Sequence, residues 1–162
     1  MTDRLWKVLE HTNEWVRFAD TKAAGALAAS GVVGGLATNA LLGTNNLSGS
    51  ALVLVVLGLV GLLFAAGFAV WVLTPQLSVG EPRSLLYFEH VARRYRQDAD
   101  GHQQDLEALL QDDRALSKQL ANQIWDNSTV ARNKYCRGDW SLRLFFASTS
   151  LLGVGTCIAI AG

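Results

Sequence analysis

Two clusters of polar residues have the types and spacing that chemistry needs. The first is Asn13-Glu14-Trp15-Val16-Arg17-Phe18-Ala19-Asp20-Thr21-Lys22. Asn13, Arg17 and Asp20 recur at steps of four and three, so a helix places them on one face. Asp20 and Lys22 directly precede a long apolar run, where a desolvated charge is costly unless paired. This cluster reads either as a border anchor with local ion pairs or as a polar hinge facing a helical bundle, with Asn13, Trp15, Asp20 and Lys22 as its coupling residues. The second cluster is Asn127-Ser128, Arg132, Asn133, Lys134 and Tyr135. Ser128 and Arg132 are four apart, and Asn127 and Lys134 seven apart. One helical face then offers an amide, a hydroxyl and cations, the groups that hold a phosphate and a base edge. Arg93, Arg94 and Arg96 add charge from a preceding segment. The bland alternative is a basic stripe at the inner leaflet.

No catalytic set accompanies these clusters. His11, His90 and His102 lack the paired spacing with Glu that a zinc protease uses, and there is no Cys-x-x-Cys. Gly31 and Gly35 lie in an apolar run without the Lys-Ser/Thr of a phosphate-binding loop. Neither a metal site nor enzymatic activity is expected. Cys136 stands among basic residues and Cys157 in an apolar run, so both are expected as free thiols. With 14 basic and 14 acidic residues, the chain has no bulk attraction to nucleic acid.

The elements that position the clusters follow from where charge is missing. Only 17% of the 162 residues are charged, and residues 23–80 form a run of 58 without Asp, Glu, Lys or Arg. Residues 144–162 form a second such run of 19. A plain soluble enzyme, a disulfide scaffold and a disordered tail are excluded, since a soluble surface could hardly be built from the remainder. About 20 apolar residues cross a bilayer. The polar residues 43–50 divide the longer run into spans at 23–43 and 51–74, and a third span lies at 142–161. Trp71 and Trp140 suit interfacial anchors. Arg4, Lys7, Arg17 and Lys22 precede the first span, the loop after it has no basic residue, and the other ten basic residues precede or border the third span. Positive residues stay cytoplasmic. Residues 1–22 and 75–141 are therefore expected inside, with the 44–50 loop and the C-terminus outside. In the first span, Gly31 with Gly35 and Gly25 with Ala29 permit close helix approach.

Residues 1–22 read as an amphipathic helix through Leu5, Val8, Leu9, Val16 and Ala19, with no breaker before the first span. Gly80 and Pro82 mark residues 76–83 as a loop, and Ser84 is expected to cap a helix from Leu85. Asp98, Asp100 and Gly101 break the pattern. From Gln103 the leucines resume helical spacing, which predicts one helix to Tyr135 and on toward the membrane. No strand alternation appears, and no cyclic-nucleotide-binding β-roll is recognisable. The fold class is all-α: three transmembrane helices with a small helical cytoplasmic bundle.

These residues also carry a resemblance. Asn13-x-Trp15-x-x-x-Ala19-Asp20-x-Lys22-Ala23 running into a small-residue span resembles the opening of the Pycsar transmembrane effectors of bacterial antiphage defence. Tyr87-Phe88-Glu89-His90-Val91-Ala92 and Gln123-Ile124-x-x-Asn127-Ser128-x-x-x-x-Arg132-x-Lys134-Tyr135, followed by a final span, resemble its later elements in order. The resemblance implies an inner-membrane effector whose partner is a pyrimidine nucleotide cyclase. Cyclic UMP or cyclic CMP accumulates on infection, the lipid bilayer loses integrity, and the cell dies before progeny emerge. Taken with the clusters, it places signal sensing at Arg93, Asn127, Ser128, Arg132 and Lys134, in a homo-oligomer. The competing expectation is a structural or scaffold subunit of a membrane complex. A transporter is disfavoured, because the spans hold no ionisable coupling residue.

Overall fold

The computed structural model describes residues 1–43, 48–75 and 84–161. They form five helices and, among the described residues, no strand: α1 (Thr2–Leu42), α2 (Gly49–Leu73), α3 (Phe88–Arg94), α4 (Ala99–Gln111) and α5 (Asp113–Ala161). The all-α expectation holds. Helices α1, α2 and α5 are long and apolar enough to cross a membrane. The chain divides into two compact units, one of Met1–Arg17 with Pro75–Arg132 and one of Phe18–Thr74 with Asn133–Gly162. Helices α1 and α5 contribute residues to both.

The first unit is built on leucine. Leu9 of α1, Leu109 of α4 and Leu116 and Leu120 of α5 form its buried core, flanked by Leu5, Leu85, Leu86, Ala115 and Ile124. Leu116, Leu120 and Ile124 meet because steps of four keep them on one helical face. Val8, placed on the same apolar stripe by its spacing, is exposed, as are Trp6 and Trp15. Leu120 is fully buried. Leu120→Ala is expected to destabilise this unit by about 2–5 kcal/mol, through lost burial and the cavity left behind. Denaturant unfolding of the detergent-solubilised protein, followed by tryptophan fluorescence, measures it.

The predicted single helix from Gln103 to Tyr135 is interrupted. The Asp112 carboxylate accepts the Arg114 N–H at 2.9 Å and the Ala115 N–H at 3.0 Å, capping α5 and ending α4. Asp is among the best N-cap residues, because its side chain satisfies donors that have no partner in the first turn. Asp98 does the same for α4, accepting the Gly101 N–H at 2.9 Å. The residues that break the hydrophobic pattern are thus the start of a helix, with Asp100 in its first turn, favourably placed for the helix dipole. Ser84 does not cap a helix at Leu85. Its hydroxyl accepts the Leu86 N–H at 3.2 Å, and α3 begins at Phe88. The expected 76–83 loop and residues 44–47 lie outside the described residues.

The second unit packs by a seven-residue rhythm. The buried residues of α2 are Ala51, Val55, Gly58, Leu62, Ala65, Ala69 and Val72, alternating steps of four and three. That pattern keeps one seam of a helix against its neighbours. Lipid gives no hydrophobic drive to helix association, so close packing must supply it. A Cβ at Gly58 would fall 2.7 Å from Leu152 Cγ, and one at Gly155 3.0 Å from Val55 Cγ2. Ser141 donates to the Ala65 carbonyl at 2.8 Å. Around these contacts, Val55, Leu62 and Leu152 cluster with Val33, Ala37 and Phe145. Among the described residues, a Cβ at Gly25, Gly31 or Gly35 would meet nothing within 4 Å, so the close approach expected there is not made. Gly58 and Gly61 of α2 and Gly155 of α5 make it instead.

Candidate functional site

In the first unit, α1 brings Asn13, α5 brings Gln123 and Asn127, and the segment before α3 brings Ser84. An amide relay joins them. Asn127 Nδ2 donates to Asn13 Oδ1 at 2.7 Å, Gln123 Nε2 donates to Asn127 Oδ1 at 2.9 Å, and the Ser84 hydroxyl donates to Gln123 Oε1 at 3.3 Å. The Ser84 N–H then donates to His90 Nδ1 at 3.3 Å. Gln123 is buried, so its amide needs these partners. Beside the relay lies a cavity of about 140 Å³, lined by Asn13, Gln123, Asp126, Asn127, Tyr87 and His90, with Val16 and Val130 as its apolar wall.

In the second unit, Lys134 Nζ donates to Asp20 Oδ1 at 2.5 Å. The Lys134 side chain is only 6% exposed, whereas that of Asp20 is 36% exposed. A buried ammonium is tolerated when paired. Lys22 lies 4.6 Å from the Phe18 ring centre and 5.6 Å from that of Tyr135, within cation–π range. Lys22, Lys134 and Tyr135 line a second cavity of about 110 Å³, bordered also by Gly138 and Asp139. Asp139 accepts from Arg143 Nε at 2.8 Å, and Arg137 stacks 4.4 Å from the centre of the Trp71 ring.

The sequence-derived residues therefore fall in two places. Asn13 and Asn127 meet in the first unit, Asp20 and Lys134 in the second, and both pairs join α1 to α5 across a separation of 114 residues. Trp15 and Arg132 are exposed. The Ser128 hydroxyl donates to its own helix at the Ile124 carbonyl, 2.7 Å away, and Arg93 Nε to Glu89 at 2.7 Å. Of the five proposed sensing residues, Asn127 alone lines the 140 Å³ cavity among the described residues. Gln123, Asp126, Tyr87 and His90 are the cavity residues that the two polar clusters missed. Tyr87, His90 and Gln123 stood in the Tyr87–Ala92 and Gln123–Ile124 stretches, which periodicity alone reads as helix, whereas Asp126 carried no signal.

The Pycsar effector protein domain matches residues 4–161 of the chain. The chain belongs to the Pycsar effector family. No curated protein and no solved structure matches it. As a Pycsar effector it is a membrane protein of antiphage defence, and it is the effector of such a system rather than the cyclase. No group of three or more His, Cys, Asp or Glu that could hold a metal occurs among the described residues of this effector. Both of its cysteines are free and exposed.

Proposed function

We propose that this effector sits in the bacterial inner membrane with its N-terminus and residues 75–141 cytoplasmic and its C-terminus outside. When cyclic UMP or cyclic CMP accumulates, made by a pyrimidine nucleotide cyclase, the effector homo-oligomerises, impairs the membrane and kills the infected cell. The observation that carries this reading is the double tie between α1 and α5. An amide pair, Asn13–Asn127, ties them beside a polar cavity, and an ionic pair, Asp20–Lys134, ties them again in the unit of the membrane helices. A ligand that binds one arrangement of these helices better shifts the population toward it. Asn127 contacts the ligand from within the cavity, while the exposed Arg93 and Arg132 offer cations to its anionic part, joined by Ser128 once its hydroxyl turns from the Ile124 carbonyl. Lys134, with Asn13, Trp15, Asp20 and Lys22, belongs to the coupling.

Co-expression with an active cyclase, read by a membrane-potential dye, tests the reading. Depolarisation is expected with the active cyclase and absent with a catalytically dead one. Equal behaviour with both enzymes sinks the proposal and favours a scaffold subunit.

A further inference from the structure

Two exposed faces of the first unit complement each other. On α5, Arg114, Lys118, Ala121, Trp125, Ser128 and Arg132 recur at alternating steps of four and three, and all six are exposed. That rhythm keeps them on one side of the helix, and no acidic residue shares the stripe. Trp125 lies near its centre and is 72% exposed. Aromatic and arginine side chains gathered on one face mark an interface rather than a solvated helix. The α1 face is the converse. Trp6, Leu9, Glu10, Asn13, Glu14 and Arg17 line an open groove of about 380 Å³, with two carboxylates to one guanidinium. Asp3, seven residues before Glu10, extends the same face. Asp3, Glu10 and Lys118 enter no ion pair among the described residues. Height then selects which residues can meet. Helices α1 and α5 run parallel, since Thr2 meets Asp113 and Asn13 meets Asn127. Copies anchored by the same spans in one bilayer stand at one height, because sliding along the membrane normal would expose apolar helix. A position on α1 therefore lies level with the position numbered 114 higher on the α5 of a neighbouring copy. On that register Trp125 falls level with His11, midway between the Trp6 and Arg17 ends of the groove, and Lys118 falls level with Arg4, beside Asp3. The groove is more than twice the roughly 150 Å³ that holds a benzene molecule, so an indole fits.

We propose that copies of this chain assemble through these two faces: Trp125 of one copy seats in the α1 groove of the next, flanked by Glu10 and Glu14, with Lys118 against Asp3. The faces differ, so each copy offers one to either neighbour, and repetition about an axis along the membrane normal builds a ring rather than an isolated dimer. Arg132 falls level with Phe18, beyond the carboxylates of the groove, and stays available to the anionic part of the nucleotide. This assignment rests on the reading that the effector homo-oligomerises, and it names the surfaces that do so.

Cross-linking of the full-length chain tests it, in membranes from cells harvested shortly after an active cyclase is induced. With Cys136→Ser and Cys157→Ala removing the native thiols, Glu10→Cys and Ala121→Cys place one thiol on each face. A short bismaleimide should then give a ladder of dimers, trimers and larger species on a denaturing gel, while either new cysteine alone should give monomer. Trp125→Ala should reduce the ladder about tenfold or more. Trp125 is exposed, so its substitution leaves folding intact. Asp3→Lys should weaken the ladder, and adding Lys118→Asp should restore it, which a folding defect would not do. A lysine-reactive cross-linker, run in parallel on the chain without added cysteines, reports assembly by any surface. Oligomers with that reagent but no ladder from the cysteine pair, dimers from either single cysteine, or a ladder unchanged by Trp125→Ala overturn these faces and leave homo-oligomerisation standing. Monomer with both reagents overturns both.

Discussion

Asp20→Ala is expected to be the most damaging single substitution in the membrane unit, and more damaging than Lys134→Ala. The two residues share one ion pair but not one environment. Lys134 is 6% exposed and Asp20 36% exposed. Removing the carboxylate strands a buried ammonium, which costs about 3–5 kcal/mol. Removing the ammonium leaves a carboxylate that water can still reach, so the loss falls to about 1–2 kcal/mol. Both variants should insert, and both should abolish toxicity in the presence of the cyclase. The pair Asp20→Leu with Lys134→Met separates stability from signalling. It should recover most of the lost stability, since a buried ion pair is often replaceable by apolar residues of similar size, yet it should remain non-toxic. Unfolding midpoints in detergent and colony counts measure the two effects. Wild-type stability and full toxicity in both single variants would refute the pair's assigned role.

The second large effect belongs to Gly58. An added Cβ there meets Leu152 Cγ at 2.7 Å, Leu152 Cδ2 at 2.8 Å and the Ser148 backbone carbonyl at 3.1 Å. A branching carbon and a backbone oxygen cannot be moved cheaply. Gly58→Ala is therefore expected to destabilise the membrane unit by about 1–3 kcal/mol by overpacking. An added Cβ at Gly61 meets the Ser148 hydroxyl, with the Ser148 Cβ 3.2 Å away. A hydroxyl can turn away, so Gly61→Ala should cost less. Gly25→Ala, Gly31→Ala and Gly35→Ala face open space and should leave stability at or above wild type, because alanine is the better helix former. Thermal aggregation of the five variants in matched detergent ranks them, and a Gly58→Ala protein as stable as Gly31→Ala contradicts the packing described above.

Much of the architecture was legible in the chain because it rests on long-range composition. The charge-free runs at 23–80 and 144–162 leave little but membrane helices, and the 3.6-residue recurrence of Leu116, Leu120 and Ile124 marks a packed face. Helix ends were harder to read. Asp112 carries no glycine or proline beside it, and an Asp-Asp pair inside a leucine pattern looks like solvent-facing helical residues until the Asp112 carboxylate is seen capping two amides. The site was half legible for a similar reason. Asn13 and Asn127, or Asp20 and Lys134, can be recognised as polar groups needing partners, but which partner each finds depends on the register of two helices 114 residues apart. Periodicity sets a face and leaves that register open.

The central claim is that a pyrimidine cyclic nucleotide acts directly on this chain to breach a bilayer. Dye release from liposomes carrying the purified protein tests it, comparing cyclic UMP, cyclic CMP, cyclic AMP and no nucleotide. Release triggered by a pyrimidine nucleotide, and by neither cyclic AMP nor buffer, is the result expected. Silence in all four conditions with insertion verified, or equal release in all four, would contradict it.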